Sequence, residues 1–338
     1  MTSTKAGYAL AVIAKADGGV EISLEDPTHP DEALTITSNG SVWSAKNPAT
    51  AWKGYYTAAL VATDTVEERE GVAPRGYGYL TLKMDTTSAL NAGKMTWAGA
   101  LPNGTAISGS SVISINEEKR ALVPIFKASS TDVFGILPAV DANAVAEENR
   151  ASIKPIDGVK TVWTHTDRRP AASFKANFKI YGGYYDKNEH LGGCCEEQYQ
   201  TTNLLLKFDT SKLAGSGWTA AGAPGTVDDA FVEVGDSTIR LEDGHPSGMS
   251  IALTKTTGLV SGKVRIPVGE SGKTVSASWK GVIITGWGDG CGCGETSVTL
   301  PFMVGAYVFS DSFKDDETGK TVYVKRGSTV EAQVPSVY

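Results

Sequence analysis

The four cysteines are the residues of this chain whose type and spacing point most directly to chemistry. They occur as the adjacent pair Cys194 and Cys195 and as Cys291 and Cys293, which flank one glycine. Adjacent cysteines on an extended chain point to opposite faces, and cysteines two positions apart lie near the upper limit for bridging. Local pairing is therefore strained. We expect two disulfides between the segments, with each of Cys194 and Cys195 bonded to one of Cys291 and Cys293.

Zinc binding is the alternative use of these thiols. Four thiolates could ligate zinc, and His190 lies shortly before Cys194 as a spare ligand. Zinc ligands are usually spaced two to four residues apart, however, and adjacent cysteines do not easily chelate one ion. Disulfides are preferred, so we assign no metal ligand and no cofactor.

Aromatic residues near glycines are the candidates for ligand binding. Trp287 and Asp289 lie in the glycine-rich stretch 286–294, and Tyr184 and Tyr185 follow Gly182-Gly183. A flat, exposed ring with polar neighbours suits a carbohydrate. The stretch 286–294 is followed by a strand-like segment rather than a helix, which argues against a phosphate cradle. We expect the other tryptophans to fill β-sheet cores: Trp52, Trp97, Trp163, Trp218 and Trp279.

No catalytic residue can be assigned from the sequence. The chain contains no Gly-x-Ser-x-Gly or His-Glu-x-x-His motif, and its four histidines are scattered. Glycosidases need only two carboxylates, which a sequence cannot locate. A non-enzymatic protein is therefore preferred, and a glycan-active hydrolase stays as an alternative.

Charge and hydropathy argue against a nucleic-acid ligand and against a membrane-spanning helix. The net charge is -7, and no run of Lys and Arg is interleaved with aromatics, so a nucleic acid is not an expected ligand. No segment approaches the roughly 18 apolar residues of a membrane-spanning helix. The segment Ala6–Ala14 resembles a short secretory signal, but the alternation of Tyr8, Leu10 and Val12 favours a strand. In that case we expect the export signal to lie outside this chain.

Turns and alternating segments predict the fold class. The 38 glycines and turn dipeptides such as Gly18-Gly19 and Asn103-Gly104 separate segments with a period of two, such as Tyr79–Met84. This pattern predicts an all-β protein with two related antiparallel β-barrel or β-sandwich halves. Two short polar segments, 65–70 and 143–150, suggest helix, and the second would link the halves. The expected units are an N-terminal hairpin region (1–50), a first β-domain (51–150) and a second β-domain (151–338).

The chain also resembles itself. Leu80–Thr86, followed by Ala92-Gly93 and Trp97, is echoed by Leu204–Thr210, Ala214-Gly215 and Trp218. A repeat at this separation indicates duplicated β-domains rather than a solenoid of short repeats. Coincidence among strand-and-turn sequences is the alternative explanation.

Several segments resemble a known group of bacterial repeat units. Lys255–Gly262 and Trp279–Ile284 are similar to a "TGLFSG … FKGVLL" signature, and Trp52–Thr57, Pro74–Tyr79 and Leu101–Thr105 are similar to "GxYT … PxGxGY … LADGT". These signatures belong to uncharacterised repeat units in large secreted and surface proteins of Planctomycetes- and Verrucomicrobia-type bacteria. The resemblance covers roughly residues 50–310. It implies a β-rich module without an established activity, and the chain departs from the signature at both cysteine-bearing loops.

Together these patterns predict an extracellular or cell-surface structural or adhesion module without catalytic activity. Its expected partners are other copies of itself, surface polymers or glycans. Strand exchange through the termini is one route to self-assembly, and Tyr8–Ile13 and Val330–Tyr338 are the candidate open edges. A carbohydrate-binding module is the first alternative.

Overall fold

The structure is a computed structural model, and within its described residues the chain is built from β-strands. Twenty-four strands and one turn of 3-10 helix (Thr50–Trp52) account for its regular elements, so the all-β prediction is confirmed. No helix of these residues is long and apolar enough to cross a membrane. The described residues are 2–3, 9–14, 20–26, 29–38, 43–44, 46–63, 77–84, 92–115, 120–140, 152–156, 161–166, 173–188, 190–191, 201–208, 227–268, 273–284, 301–314 and 319–333.

The N-terminal region forms a four-stranded antiparallel sheet of its own. Its strands are β1 (Thr2–Ser3), β2 (Ala9–Ala14), β3 (Val20–Asp26) and β4 (His29–Ser38), in the order β1-β2-β3-β4. The ladder from Ala9↔Glu25 to Ala14↔Val20 confirms the hairpin predicted around Gly18-Gly19. Because β2 lies between β1 and β3, it is not an edge strand, although β1 pairs only with Leu10 and Ala11. Among the described residues, β1 therefore covers the expected open edge at Tyr8–Ile13 only at Leu10 and Ala11.

A second sheet, of twelve strands, nearly closes into the first barrel. Four strand pairs, β8/β9, β10/β11, β12/β13 and β14/β15, are halves of interrupted strands, so the twelve strands form eight wall segments. Each segment pairs with the next, and β16 pairs with β5 to join the last segment to the first. The strands are β5 (Gly54–Ala62), β6 (Tyr77–Met84), β7 (Lys94–Ala100), β8 (Ala106–Val112), β9 (Ser114–Ile115), β10 (Ala121–Leu122), β11 (Ile125–Ala128), β12 (Asp132–Ile136), β13 (Pro138–Val140), β14 (Ser152–Pro155), β15 (Thr161–His165) and β16 (Phe174–Tyr185).

The third sheet is a second, eight-stranded antiparallel barrel. Neighbouring strands pair in chain order except at β19 and β20, which lie side by side without a ladder, and β17 pairs with β24. Val330–Ala332 is thus held between β17 and β23, so this part of the C-terminal segment is not a free edge. The strands are β17 (Asn203–Phe208), β18 (Ala230–Val234), β19 (Ile239–Leu241), β20 (Ser250–Thr254), β21 (Leu259–Val268), β22 (Lys273–Ile283), β23 (Met303–Lys314) and β24 (Thr321–Gln333).

Alternation along the strands builds three cores. In β5, Tyr56, Ala58 and Leu60 point into the first barrel, while Ala59 points out. A second core fills the second barrel around residues such as Trp279. The third core lies between the two barrels, where small and aromatic side chains from both outer walls meet: Ala59, Tyr79, Ala100, Tyr181, Val282, Ile284, Val304 and Ala306. The two barrels therefore pack wall against wall through an apolar layer.

The sheets divide the chain differently from the predicted domains. The change from one barrel to the next falls between Tyr185 and Asn203, whereas the sequence suggested residues 150 and 151. The Leu80 segment is β6, the second wall segment of its barrel, and the Leu204 segment is β17, the first of its own. The repeated sequence therefore aligns strands at different positions in the two barrels. In both barrels, however, the first strand pairs with the last. Trp218 and the segments 65–70 and 143–150 lie outside the described residues.

Candidate functional site

The structure describes only some of the residues predicted to carry function. Cys194, Cys195, Cys291 and Cys293 lie outside the described residues, as do Trp287 and Asp289. Tyr184 and Tyr185 are described, and they are the last two residues of β16. The expected core role of the tryptophans is confirmed for Trp52, Trp97, Trp163 and Trp279, which are all buried.

Tyr185 crosses from the first barrel into the core of the second. Its side chain is 3% exposed and belongs to the core cluster of the second barrel. The hydroxyl donates a hydrogen bond to the Lys255 carbonyl at 2.9 Å, and the ring covers Gly258 in the turn between β20 and β21. Its ring therefore presents no open face on which a sugar could stack.

Tyr184 points the other way, as alternation along β16 requires. It packs against the first core, with its ring perpendicular to that of Tyr56 at a centroid distance of 5.6 Å. The ring also covers Gly54, where an added Cβ would lie 2.4 Å from Tyr184 Cε2. Burial, followed by the charge of Asp186, raises the pKa of the Tyr184 phenol. Since Tyr184 and Tyr185 lie on opposite faces of the strand, they do not form one binding patch.

A row of outward-facing residues leads from Tyr185 to an open cleft. Cross-strand pairing places Tyr185 beside Tyr55, Tyr55 beside Lys83, and Lys83 beside Thr96. Tyr55 packs against the core of the second barrel, so this end of the row lies at the junction of the barrels. At the other end, Lys83 and Thr96 are on the outer wall of the first barrel. The cleft therefore begins at the place where the two barrels meet.

The cleft has a volume of about 130 Å³ and a mixed polar and aromatic lining. Lys83 Nζ lies 5.7 Å from the centroid of the Tyr55 ring. The Thr81 hydroxyl donates to the Ala98 carbonyl at 3.0 Å, and the Thr96 hydroxyl donates to the Lys83 carbonyl at 3.3 Å. With their protons engaged, both hydroxyl oxygens are left to accept hydrogen bonds from a ligand. The cleft thus suits a small polar molecule that carries several hydroxyl donors.

A second polar cluster lies at one end of the first barrel and was not predicted from the sequence. Asp132 Oδ1 accepts hydrogen bonds from Trp163 Nε1 and from His165 Nδ1, both at 2.9 Å. Asp132 Oδ2 accepts a third from the Thr131 hydroxyl at 2.8 Å. The His165 side chain is 21% exposed, whereas that of Asp132 is 11% exposed. A buried carboxylate therefore orients an imidazole that reaches the surface.

Aromatic packing holds the same imidazole in place. The His165 ring stacks on Phe174 at 5.1 Å, and Phe174 meets Trp163 edge to face at 4.7 Å. Asp132 and His165 are also direct cross-strand partners, in β12 and β15. The pair fastens the turn before β12 to the neighbouring strand. Asp132 and His165 come together only through the pairing register of β12 and β15. Their spacing in the sequence does not predict this contact.

The described residues contain no group of three or more His, Cys, Asp or Glu side chains that could hold a metal ion. His165 and Asp132 together supply one imidazole and one engaged carboxylate. Their arrangement can orient a proton acceptor at Nε2, because Asp132 fixes the proton on Nδ1.

Comparison with known proteins adds little to this geometry. No protein family matches the chain, and no curated protein matches it. Among solved structures the chain is similar to the crystal structure of CghA, at 10% identity and a TM-score of 0.22, over 88% of this chain and 93% of that chain. At this TM-score the similarity carries no argument about fold or function. The resemblance to bacterial surface repeat units stays a prediction.

Proposed function

We propose that this chain is a non-catalytic structural or adhesion module of a secreted or cell-surface protein. The observation that carries the proposal is the apolar layer of buried side chains between the barrels, from which we infer that the two barrels move as one stiff unit. A module that transmits load or spaces other modules needs such stiffness, since weakly joined domains move relative to each other. Interfaces that are large and hydrophobic suppress that motion.

Contacts around the layer extend the junction. Tyr185 and Tyr55 of the first barrel pack against the second core. The turn at Gly104 lies against Val308 of β23, and the Tyr77 amide donates to Thr329 Oγ1 at 3.2 Å. The contacts come from several wall segments of the first barrel. They therefore oppose rotation of one barrel against the other as well as separation.

The experiment compares wild type with Ala306→Glu, which places a charge in the apolar layer, and with Ala252→Glu, which makes the same change at an exposed position of β20. We expect one unfolding transition in urea for wild type and Ala252→Glu, and two for Ala306→Glu. Cells that display the chain should clump or adhere under flow, and Ala306→Glu should weaken that adhesion. Two transitions in wild type, or adhesion that Ala306→Glu leaves unchanged, would contradict the proposal.

Self-association through a strand edge is part of this proposal, and β4 supports it best. Among the described residues β4 pairs with β3 alone, so its uncharged part, Leu34–Ser38, has one open side. Open edges recruit further strands unless they are covered or charged. We expect light scattering to show association of the full chain that is lost when residues 1–42 are deleted. A full chain that is monomeric at high concentration would exclude this route.

Disulfides between the two cysteine-bearing segments also belong to the proposal. The described residues that flank these segments support it, because consecutive antiparallel strands bring them to the same end of the second barrel. Leu191 donates its amide to the Asp236 carbonyl after β18, and Ile284 donates to Phe302 after β22. Peptide mapping without reduction should find Cys194 and Cys195 each joined to one of Cys291 and Cys293. Four alkylatable thiols with stoichiometric zinc would favour the metal site.

Carbohydrate binding is the second candidate function, and the cleft beside the junction favours it. A sugar offers several hydroxyl donors, which match the acceptor oxygens of Thr81 and Thr96, and Lys83 would suit an acidic sugar. We expect Lys83→Met or Thr96→Val to reduce binding to a glycan array at least tenfold. Lys94→Met changes an exposed lysine of the neighbouring strand and serves as the control. A full array without binding would exclude this candidate, and release of reducing sugar would instead favour a hydrolase.

A further inference from the structure

The N-terminal sheet has one apolar face. Paired residues share a face of a sheet, and so do alternate positions along a strand. In β2, β3 and β4 this register places nine residues on one face, and eight of them are apolar. The nine are Leu10, Leu24, Leu34, Val12, Ile22, Ile36, Ala14, Val20 and Ser38. The positions of the other face are mostly small or polar, so the sheet is amphipathic.

Contacts within the chain leave this face open. Val12, which lies on it, is 40% exposed. Among the described residues, the extensive contacts of β1 to β4 are with one another and not with the strands of either barrel. In a stable fold a sheet buries its apolar face against another element. The N-terminal sheet therefore needs a partner that the contacts within this chain do not supply.

The outer wall of the first barrel carries a second apolar surface. Phe126 of β11 is 63% exposed, and Val133 of β12 and Val112 of the adjacent β8 are exposed as well. We call these three residues and the ladder neighbours Gly135 and Val162 the Phe126 wall. Six large apolar side chains are exposed among the described residues, and five of them belong to this wall or to the N-terminal sheet. Exposed apolar area is thus concentrated on two surfaces.

Strand alternation and a glycine shape the Phe126 wall. Ile125 and Phe134 belong to the core inside the barrel, so their neighbours Phe126 and Val133 face outward. The Phe126 ring lies over its cross-strand partner Gly135, where an added Cβ would be 3.5 Å from the ring. The ring can therefore lie against the strand and offer a broad apolar surface, to which another sheet can pack face to face.

The two surfaces lie on elements of opposite charge. The strands of the N-terminal sheet contain no Lys or Arg and five acidic residues: Glu21, Glu25, Asp26, Asp31 and Glu32. The strands of the first barrel contain six lysines and one acidic residue, Asp132, which Trp163 and His165 engage.

Two of these lysines flank the Phe126 wall. Lys94 is the cross-strand partner of Val112, and Lys175 ends the row that runs from Val133 through Thr164. Both lysines are exposed. Complementary charge around an apolar centre favours the approach of two matching surfaces, whereas like charges oppose it. The Phe126 wall is therefore suited to an acidic sheet with an apolar face, which the N-terminal region of the same protein provides.

We propose that the N-terminal sheet of one copy packs its apolar face on the Phe126 wall of a second copy. A second copy is the occupant because within one chain both surfaces stay open. The two surfaces differ, so the contact is head-to-tail, and each copy has one surface to give and one to receive. This contact uses the face of the sheet and not the edge of β4. It goes beyond the edge association proposed above and stands or fails separately from it.

The first test measures the molar mass of full-length variants by light scattering over a range of concentrations. We expect wild type to associate, and Phe126→Glu and Val12→Lys each to weaken association at least tenfold. Two exposed residues provide matched controls. Phe231→Glu makes the same change on the second barrel, and Ile13→Lys makes the same change of charge on the opposite face of β2. Both controls should associate like wild type.

A mixture of two variants tests whether the two surfaces are partners. Phe126→Glu keeps an intact sheet, and Val12→Lys keeps an intact wall. At a concentration at which each variant alone is monomeric, we expect the mixture to form a 1:1 complex, because one undamaged contact remains.

Charge reversal tests the electrostatic part of the contact. Lys94→Glu should weaken association several-fold because it places an acidic residue beside the wall. Lys263→Glu, at an exposed position of β21, should leave association unchanged. Equal effects of the two reversals would show that charge does not select this wall.

Three results would overturn the proposal. A wild type that stays monomeric at high concentration would mean that the sheet covers the wall of its own chain or that both surfaces serve another protein. Association that Phe126→Glu leaves unchanged would point to the β4 edge instead. A mixture that does not associate would mean that the two surfaces are not partners. If Val12→Lys does not fold, the comparison of Phe126→Glu with Phe231→Glu decides.

Discussion

The ring of Tyr185, which belongs to the first barrel, lies on Gly258 of the second. Gly258 has a φ of +67°, and an added Cβ would approach Tyr185 Cδ2 and Cε2 to 2.8 Å. The glycine thus allows both the left-handed turn and the close approach of the ring. A single pair of residues joins the end of one barrel to a hairpin turn of the other.

Gly258→Ala should destabilise the protein more than Gly244→Ala. Both glycines have a positive φ, but nothing lies within 4 Å of a Cβ at Gly244. Each substitution costs about 1–2 kcal/mol of backbone strain. At Gly258 the displaced tyrosine ring adds roughly 1–3 kcal/mol from overpacking. Urea unfolding of the two variants measures the difference, and equal losses would show that Tyr185 does not press on Gly258.

Asp132→Ala should destabilise the first barrel by roughly 2–4 kcal/mol, because the buried Trp163 N–H and the His165 N–H both lose their acceptor. Thr131→Val removes a single, more exposed hydrogen bond to the same carboxylate and should cost about 1 kcal/mol or less. Thermal unfolding followed by circular dichroism compares the two. Similar losses in both variants would argue that the carboxylate does not fasten the strands.

Alkaline pH should separate or unfold the barrels through their tyrosines. Burial raises the pKa of Tyr79 to about 12, and burial together with Glu331 raises the pKa of Tyr77 to about 12. A tyrosine whose pKa is higher in the folded state contributes stability that is complete below about pH 10 and is lost as the pH rises to about 12. Stability measured from pH 9 to pH 12 should fall, and Tyr79→Phe should reduce the fall. An unchanged pH profile in Tyr79→Phe would contradict this assignment.

Asp229→Asn should stabilise the protein slightly at neutral pH. Partial burial raises the pKa of Asp229, Lys207 lowers it, and Asp228 raises it further. A carboxyl whose pKa is raised by folding favours the folded state only when it is protonated, so its contribution is lost as the pH rises through that pKa. The melting temperature of Asp229→Asn should exceed that of wild type at pH 7, and the two should converge near pH 2. The opposite order at pH 7 would mean that Lys207 dominates.

The sequence predicted local structure better than long-range structure. Turn residues and alternation located the hairpin around Gly18-Gly19 and the turn at Gly104, whose φ is +77°. They could not show that β5 pairs with β16, since nothing in either strand specifies a partner so far along the chain. The boundary between the barrels was misplaced for the same reason, because β14 and β15 resemble any other short strands until their partners are known.

The candidate sites show the same limit. Tyr184 and Tyr185 were grouped by their adjacency, but alternation along β16 sends one ring into each barrel. His165 was grouped with scattered histidines, although register alone places it on Asp132. The core role of Trp163 and Trp279 was predictable because large aromatics favour burial. The hydrogen bonding of their indole N–H groups could not be predicted, since it depends on contacts across several strands.

The closure of each barrel by its first and last strands sets an order for folding during synthesis. β5 can pair with β16, and β17 with β24, only after nearly the whole barrel has been synthesised. Until then the sheet of each barrel has two unpaired edge strands. Pairings between segments this far apart form slowly. The first barrel can close while the second is still being made, and its outer wall then offers a finished surface on which β22 and β23 can assemble. The outer wall that β22 and β23 pack against is therefore complete before these two strands are made.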